Sequence, residues 1–348
     1  MRVNWFQPRS LLFWVYCLAV LGGPILFVLQ AFGQVWYAMP AALAAVPITL
    51  VTLLVIWRIL LWLDGFHARG FIFAPLVMGF IWGATVWPGL SMWANDHVTR
   101  VVTNLGGDAF AVNWQAAISA PIDEELIKAI GIAIVAVLFR PLLTRPMHGL
   151  LLGGFVGLGA QISEDCLYST QTALLSPQHP AADTIIVALL RLITAFTSHW
   201  AMSALAGVGI VVLLSRTDRP WSWRLGMFAM FYLLAVAMHV IFDAPHPPGP
   251  GLLVIFLPVL VDAAIFTIAY RWVLGTERQW FRGVIALPAA RALGPEANLS
   301  ALLTAGGRRN ARAALRYSLR MDRGQARRYE RDLLARLEAL PFAEQSQG

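Results

Sequence analysis

Glu124, Glu125 and Lys128 stand within five residues of one another, in the run Ala120-Pro121-Ile122-Asp123-Glu124-Glu125-Leu126-Ile127-Lys128. In a helix, Glu124 and Lys128 are i and i+4 while Glu125 and Lys128 are i and i+3, so all three share a face. Lys128 is the only lysine among 348 residues; every other fixed positive charge is an arginine. Arginine meets the general need for positive charge, so the single lysine marks a place that wants a compact ammonium. Glu164, His199, His239 and Asp243 add two carboxylates and two imidazoles, the last pair again at i and i+4. A carboxylate beside an ammonium can be tuned as a general base for water. Imidazoles opposite it can stabilise an oxyanion or pass a proton to a leaving amine. The set therefore points to acyl transfer with water as nucleophile.

Rival chemistries fare less well. Ser163 and Ser203 have no base placed for them, and the zinc-protease spacing His-Glu-x-x-His is absent. No cofactor is expected on this reading. Zinc held by Glu164, His199, His239 and Asp243 is the alternative that these residue types allow. Carboxylates and imidazoles also build proton relays, so a proton-coupled transporter or channel is a second alternative. No paired inverted repeat of broken helices supports it. A third alternative is a non-catalytic scaffold that recruits partners through the C-terminal tail.

The elements that must position these groups are membrane helices. Hydrophobic residues make up 58% of the chain and charged residues only 13%, too apolar a mix for a soluble domain of this length. A bilayer-spanning helix needs about 20 apolar residues. Eight segments qualify, at about 11–33, 36–63, 71–93, 113–138, 149–170, 184–214, 223–244 and 251–272. The first follows Arg2 and Arg9 and reads as a retained helix rather than a cleaved leader. Cys17 and Cys166 both fall inside spans, which argues against a disulfide framework.

Arginines sort by side. Arg58 and Arg69, Arg140 and Arg145, Arg216 to Arg224, and Arg271 to Arg282 follow the even-numbered spans, whereas only Arg100 lies on the opposite connections. The positive-inside rule then gives a multi-pass protein of the bacterial inner membrane with both termini cytoplasmic. The fold class is all-α: a transmembrane bundle of about eight spans over residues 1–285, followed by a basic helical tail over 286–348. Within that tail, 286–306 reads as a linker and 311–340 as amphipathic helix. Its arginines suit anionic lipid headgroups, nucleic acid or a protein partner.

Charges at bilayer depth cost about 2.5–3.5 kcal/mol each on insertion scales, so they default to function. Glu124, Glu164, His199 and His239 lie 15 to 17 residues from the nearest cytoplasmic-side Arg140, His148, Arg216 and Arg224. At 1.5 Å per residue this is one layer, roughly 22–26 Å from the cytoplasmic edge. Asp262 is off that layer and reads as packing or a local hydrogen bond. Arg191 reads as a snorkelling residue near the outer surface. Asp165 is either a second acid or a polar residue satisfied by its neighbours.

At these residues the chain resembles the PrsW family of intramembrane proteases, distant relatives of the CAAX-processing proteases. Glu124, Glu125 and Lys128, after Ala120-Pro121, resemble its Glu-Glu-x-x-Lys motif. Gly153 to Tyr168 with Glu164, then Arg191, His199 and Gly207, then His239 and Asp243, resemble its later motifs in order, over about 115–245. Departures are Ala160, where an aromatic is common, and Asp165, where Asn is usual. The resemblance implies a metal-independent membrane endopeptidase in which Glu124 or Glu125 activates water. It implies a single-span substrate, such as an anti-sigma factor, cut toward the extracytoplasmic side.

Overall fold

The computed structural model describes residues 5–245 and 252–345, and among these every regular element is helical. They divide into two units, one of residues 1–61 and 72–269 and the other of 62–71 and 270–348.

The first unit is the helix bundle. Helix α1 (Leu11–Ala42) runs through a short 3₁₀ turn into α2 (Val46–Leu63). This stretch of 53 residues would be roughly 80 Å long if straight, far more than one bilayer core. Tyr16 donates to the Met78 carbonyl, and Trp57 meets Phe155, in the same layer where Gly79 touches Leu152 and Val156. The two ends are thus level with each other, and the chain doubles back. Helix α3 (Arg69–Ile81) leads through a π-helical turn, Trp82–Val86, into α4 (Trp87–Gly106). Gly107, at φ 78°, turns the chain into α5 (Asp108–Leu138). That value lies in the left-handed region open to glycine. Then come α6 (Pro146–Leu175), α7 (Pro180–Thr194), α8 (His199–Ser215), α9 (Trp221–Asp243) and α10 (Leu252–Ile285).

Five described stretches are long and apolar enough to cross a membrane, or six if the pair α7 and α8, bent by 40°, is one broken span. The protein is a multi-pass membrane protein. The expectation of eight divides the chain differently for identifiable reasons. The Leu11–Leu63 stretch counts once here although it doubles back. Helix α5, the expected span 113–138, carries Asp123, Glu124, Glu125 and Lys128 in its middle, and these four charges keep it out of the five. The expected continuous helix over 184–214 is a correction: it breaks between Thr194 and His199.

The tightest seam joins α6 to α8. A Cβ on Gly153 would strike the Ser203 carbonyl oxygen, and one on Gly157 would strike that of His199. Glycine at these two positions lets backbones touch, the close approach that membrane helices use in place of a hydrophobic drive. The contact fixes the height of His199 on α6.

In the second unit, η-helix Pro288–Leu293 and helices α11 (Glu296–Ala301), α12 (Ala305–Ser318) and α13 (Arg323–Gln345) follow the end of α10. Phe66 stacks on Phe281 at 4.9 Å and joins Ala290, Leu299, Leu302, Leu303, Leu334 and Leu337 in a buried cluster. The stretch 286–306, expected as a linker, therefore supplies core residues. Ala290, Leu299, Leu302 and Leu303 come from it, while Pro288, Gly294 and Pro295 cut the stretch into pieces too short to show periodicity.

Candidate active site

Helices α5, α6, α8 and α9 bring all seven residues singled out in the sequence into one network. Lys128 is fully buried. Its Nζ donates to Glu125 Oε1 at 2.6 Å and to His199 Nδ1 at 2.8 Å, and lies 4.0 Å from Glu124 Oε2. An ammonium has donors only, so His199 Nδ1 must accept. The remaining proton sits on Nε2, which faces Glu164 Oε2 at 2.9 Å. Lys128 and Glu164 thus fix one tautomer of His199.

His239 is held differently. Its Nδ1 faces Glu125 Oε1 at 2.8 Å and its Nε2 faces Asp243 Oδ2 at 3.3 Å. Both nitrogens meet carboxylates, so the ring donates from both. The two imidazoles meet edge to face, 5.3 Å between centroids and 85° between planes. Glu124 Oε2 lies 4.0 Å from His239 Nε2, and has no hydrogen-bond partner among the described residues.

The two glutamates are not equivalent. Glu125 is fully buried and its Oε1 is shared by Lys128 and His239. Glu124 instead lines a cleft of about 360 Å³ between α4, α5 and α6, which Glu164 and Asp243 also line. Glu124 Oε1 accepts from Asn95 Nδ2 at 3.2 Å.

One sequence reading needs correction, and two are narrowed to one of their alternatives. Arg191 does not merely snorkel: its guanidinium pairs with Glu164 through Nη2 and with Asp165 through Nε at 2.7 Å, and lies over the Tyr168 ring at 4.1 Å. Its planar fork can serve two neighbouring carboxylates at once. Asp165 is accordingly an ion-pair partner that also accepts from Gln161. Asp262 is fully buried and neither oxygen has a hydrogen-bond partner among the described residues, so of packing and a local bond only packing remains. Its neighbours along α10 meet the helix break instead: Val259 accepts from Thr197, and Phe266 packs edge to face on Trp200.

Sequence reasoning missed α4. Trp87, Ser91, Asn95 and Thr99 recur every fourth residue, one stripe of a helix, and all line the cleft. Trp87 also packs on His199, with centroids 5.5 Å apart. That four-residue spacing of polar side chains was the available signal.

Glu124, His199 and His239 each offer a ligand atom within 4.8 Å of the others, a possible metal site. The donor set suits zinc by type, but a metal there would have to displace hydrogen bonds now made by both imidazoles: His199 Nδ1 accepts from Lys128 and its Nε2–H faces Glu164, and His239 donates from both nitrogens. Glu124 Oε2 is the orphaned buried oxygen such a site would use, and Glu125 stands behind His239 as a carboxylate stands behind a ligating imidazole. The ligands expected from sequence were Glu164, His199, His239 and Asp243; Glu124 replaces the two carboxylates in this triad.

The fold and the site together define a multi-pass helical membrane protein with a buried carboxylate, imidazole and ammonium centre. Residues 73–269 match the family described as PrsW family intramembrane metalloprotease, and the chain belongs to that family. It is therefore a membrane protease, a peptide hydrolase. No curated protein and no solved structure matches the chain. The family match supports peptide hydrolysis over the transport and scaffold alternatives.

Proposed function

We propose that the protein is an endopeptidase in which Glu124 activates water against a peptide bond of a membrane-anchored substrate. The observation that carries the reading is the position of the two glutamates: each has one carboxylate oxygen without a hydrogen-bond partner among the described residues, but Glu124 lines the cleft, while Glu125 does not and its Oε1 is held by both Lys128 and His239. Glu124 Oε2 takes the proton of a water in the cleft as the oxygen attacks the scissile carbonyl carbon. His239 Nε2–H, 4.0 Å from that carboxylate, stabilises the oxyanion or protonates the leaving amine. Asp243 and Glu125 orient His239. Lys128, Glu164 and Arg191 hold His199 beside it. When bound, a metal would polarise the carbonyl and acidify the water, held by Glu124, His199 and His239.

The substrate we propose is a single-span protein such as an anti-sigma factor, cut near the extracytoplasmic boundary of a bacterial inner membrane, with both termini of the protease cytoplasmic. The common depth of the four groups and the arginine pattern support this sidedness. Contact of the basic tail with anionic lipid or a protein partner belongs to the same proposal.

The test is cleavage of a co-reconstituted single-span reporter by purified wild type and by Glu124→Gln and Glu125→Gln. General acid–base groups contribute about 10²–10⁴-fold, and Glu124→Gln is expected to lose that much with the fold intact. Wild-type activity in folded Glu124→Gln overturns the reading, whatever Glu125→Gln does. A second reading, that a metal is required, is favoured by the Glu124, His199 and His239 triad and the family's description as metalloprotease. Loss of cleavage with chelator, restored by zinc, establishes it; cleavage unaffected by chelator removes it.

A further inference from the structure

The cleft that opens on Glu124 has a charge of its own. The ionisable acids and bases of its lining are Asp96, Glu124, Glu164 and Asp243, and no Lys, Arg or His lines it. Three of these acids have cationic or imidazole neighbours in the network: Glu164 has Arg191, Asp243 has His239, and Glu124 has Lys128 at 4.0 Å. Asp96 has none. It is exposed on α4 and forms no ion pair among the described residues, even with Arg100 one turn on, which does not line the cleft. The neutral part of the lining includes the side-chain amides of Asn95, Gln115 and Gln171, which can donate and accept along an extended backbone. Inside, the buried Glu124 Oε2 has no partner.

We propose that this cleft selects a substrate segment that is extended and carries Lys or Arg beside the scissile bond, with Asp96 as the contact for that charge. The inference rests on the reading of the cleft as the protease site and names the chemistry it prefers. A cation entering the cleft meets one exposed, uncompensated carboxylate, Asp96, and three less exposed carboxylates that already have partners. An acidic segment meets the uncompensated Asp96 as repulsion and finds no Lys, Arg or His on the lining to offset it. Specificity then comes from rejecting acidic segments as much as from attracting basic ones.

The test uses the full chain in detergent micelles and short labelled Ala–Gly–Ser peptides with one central Arg, Gln or Glu, read by fluorescence anisotropy. Exposed charge pairs are individually weak, so the expected preference for Arg over Glu is on the order of fivefold, falling to about twofold in Asp96→Asn and in high salt. Equal binding of the three peptides, a preference unchanged by Asp96→Asn, or no binding of any peptide overturns the proposal. The same charges are then placed next to the cut in a single-span reporter. Reporters cut at equal rates whatever their charge also overturn this inference and leave the proteolysis reading standing. Charge-selective peptide binding with no cleavage of any reporter overturns the proteolysis reading and leaves the cleft preference standing.

Discussion

Lys128 Nζ lies 2.8 Å from His199 Nδ1, across the interface between α5 and α8, while the same nitrogen holds Glu125 at 2.6 Å. The ammonium is therefore the joint between the two halves of the site. A guanidinium is wider and planar and does not fit a fully enclosed point donor. Lys128→Arg is expected to lose at least about 10²-fold in turnover despite keeping the charge. Lys128→Met leaves the buried Glu125 carboxylate with His239 alone and should lower stability, by at most the roughly 3–5 kcal/mol that breaking a buried pair costs. Reporter cleavage and thermal unfolding in the same detergent check both, and wild-type turnover in Lys128→Arg contradicts the assignment.

Arg191 and the Glu164–Asp165 pair make a second prediction. Arg191→Gln leaves two partly buried carboxylates side by side and releases the group that fixes the His199 tautomer. Turnover is expected to fall about tenfold or more with little change in peptide binding. Arg191→Lys should restore only part of it, because one ammonium cannot serve both carboxylates as a fork does. Equal activity in all three proteins would show that Arg191 only anchors α7.

Helix separation gives a third. Gly157 faces the His199 carbonyl across the α6–α8 seam, and a methyl group there has no room. Gly157→Ala should push α8 outward, cost about 1–3 kcal/mol and move His199 away from Lys128. Gly226→Ala, at a site with nothing near the added carbon, is the control and should leave melting and cleavage unchanged.

A fourth concerns pH and the second unit. Burial holds the His67 imidazole below its usual range, against the raising effect of Asp64. The unfolded chain then binds the proton first, so stability is lost as pH falls through about 6.5 and is retained above it. Limited proteolysis of the tail should accelerate between about pH 7.5 and 5.5. His67→Asn should flatten that step; Asn also tolerates the φ of 57° found here. A step of undiminished size in His67→Asn contradicts the attribution.

The groups that gather in the site were legible because each is an anomaly in its surroundings. A lysine alone in an arginine-only chain, and acids and imidazoles at one depth on four apolar segments, announce themselves without a structure. The roles around them did not. Arg191 sits 26 residues from Asp165, and nothing local distinguishes an arginine that snorkels from one that meets two carboxylates. The break before His199 has no Gly or Pro from Arg191 to Ala206 to signal it. Tertiary contacts accompany it instead: Ser198 hydrogen-bonds Gln161 and Thr197 reaches α10. Helix α4 was cut short at residue 93 because hydropathy falls there, and the polar stripe that causes the fall is the wall of the cleft.

The account stands most directly on one comparison. Wild type and Glu124→Gln, matched for melting temperature, are reconstituted with a single-span reporter, and the products are read by mass. The account predicts a single cut near the outer membrane boundary in wild type, slowed by about 10²-fold or more in the variant. Products forming at the wild-type rate with Glu124→Gln contradict it.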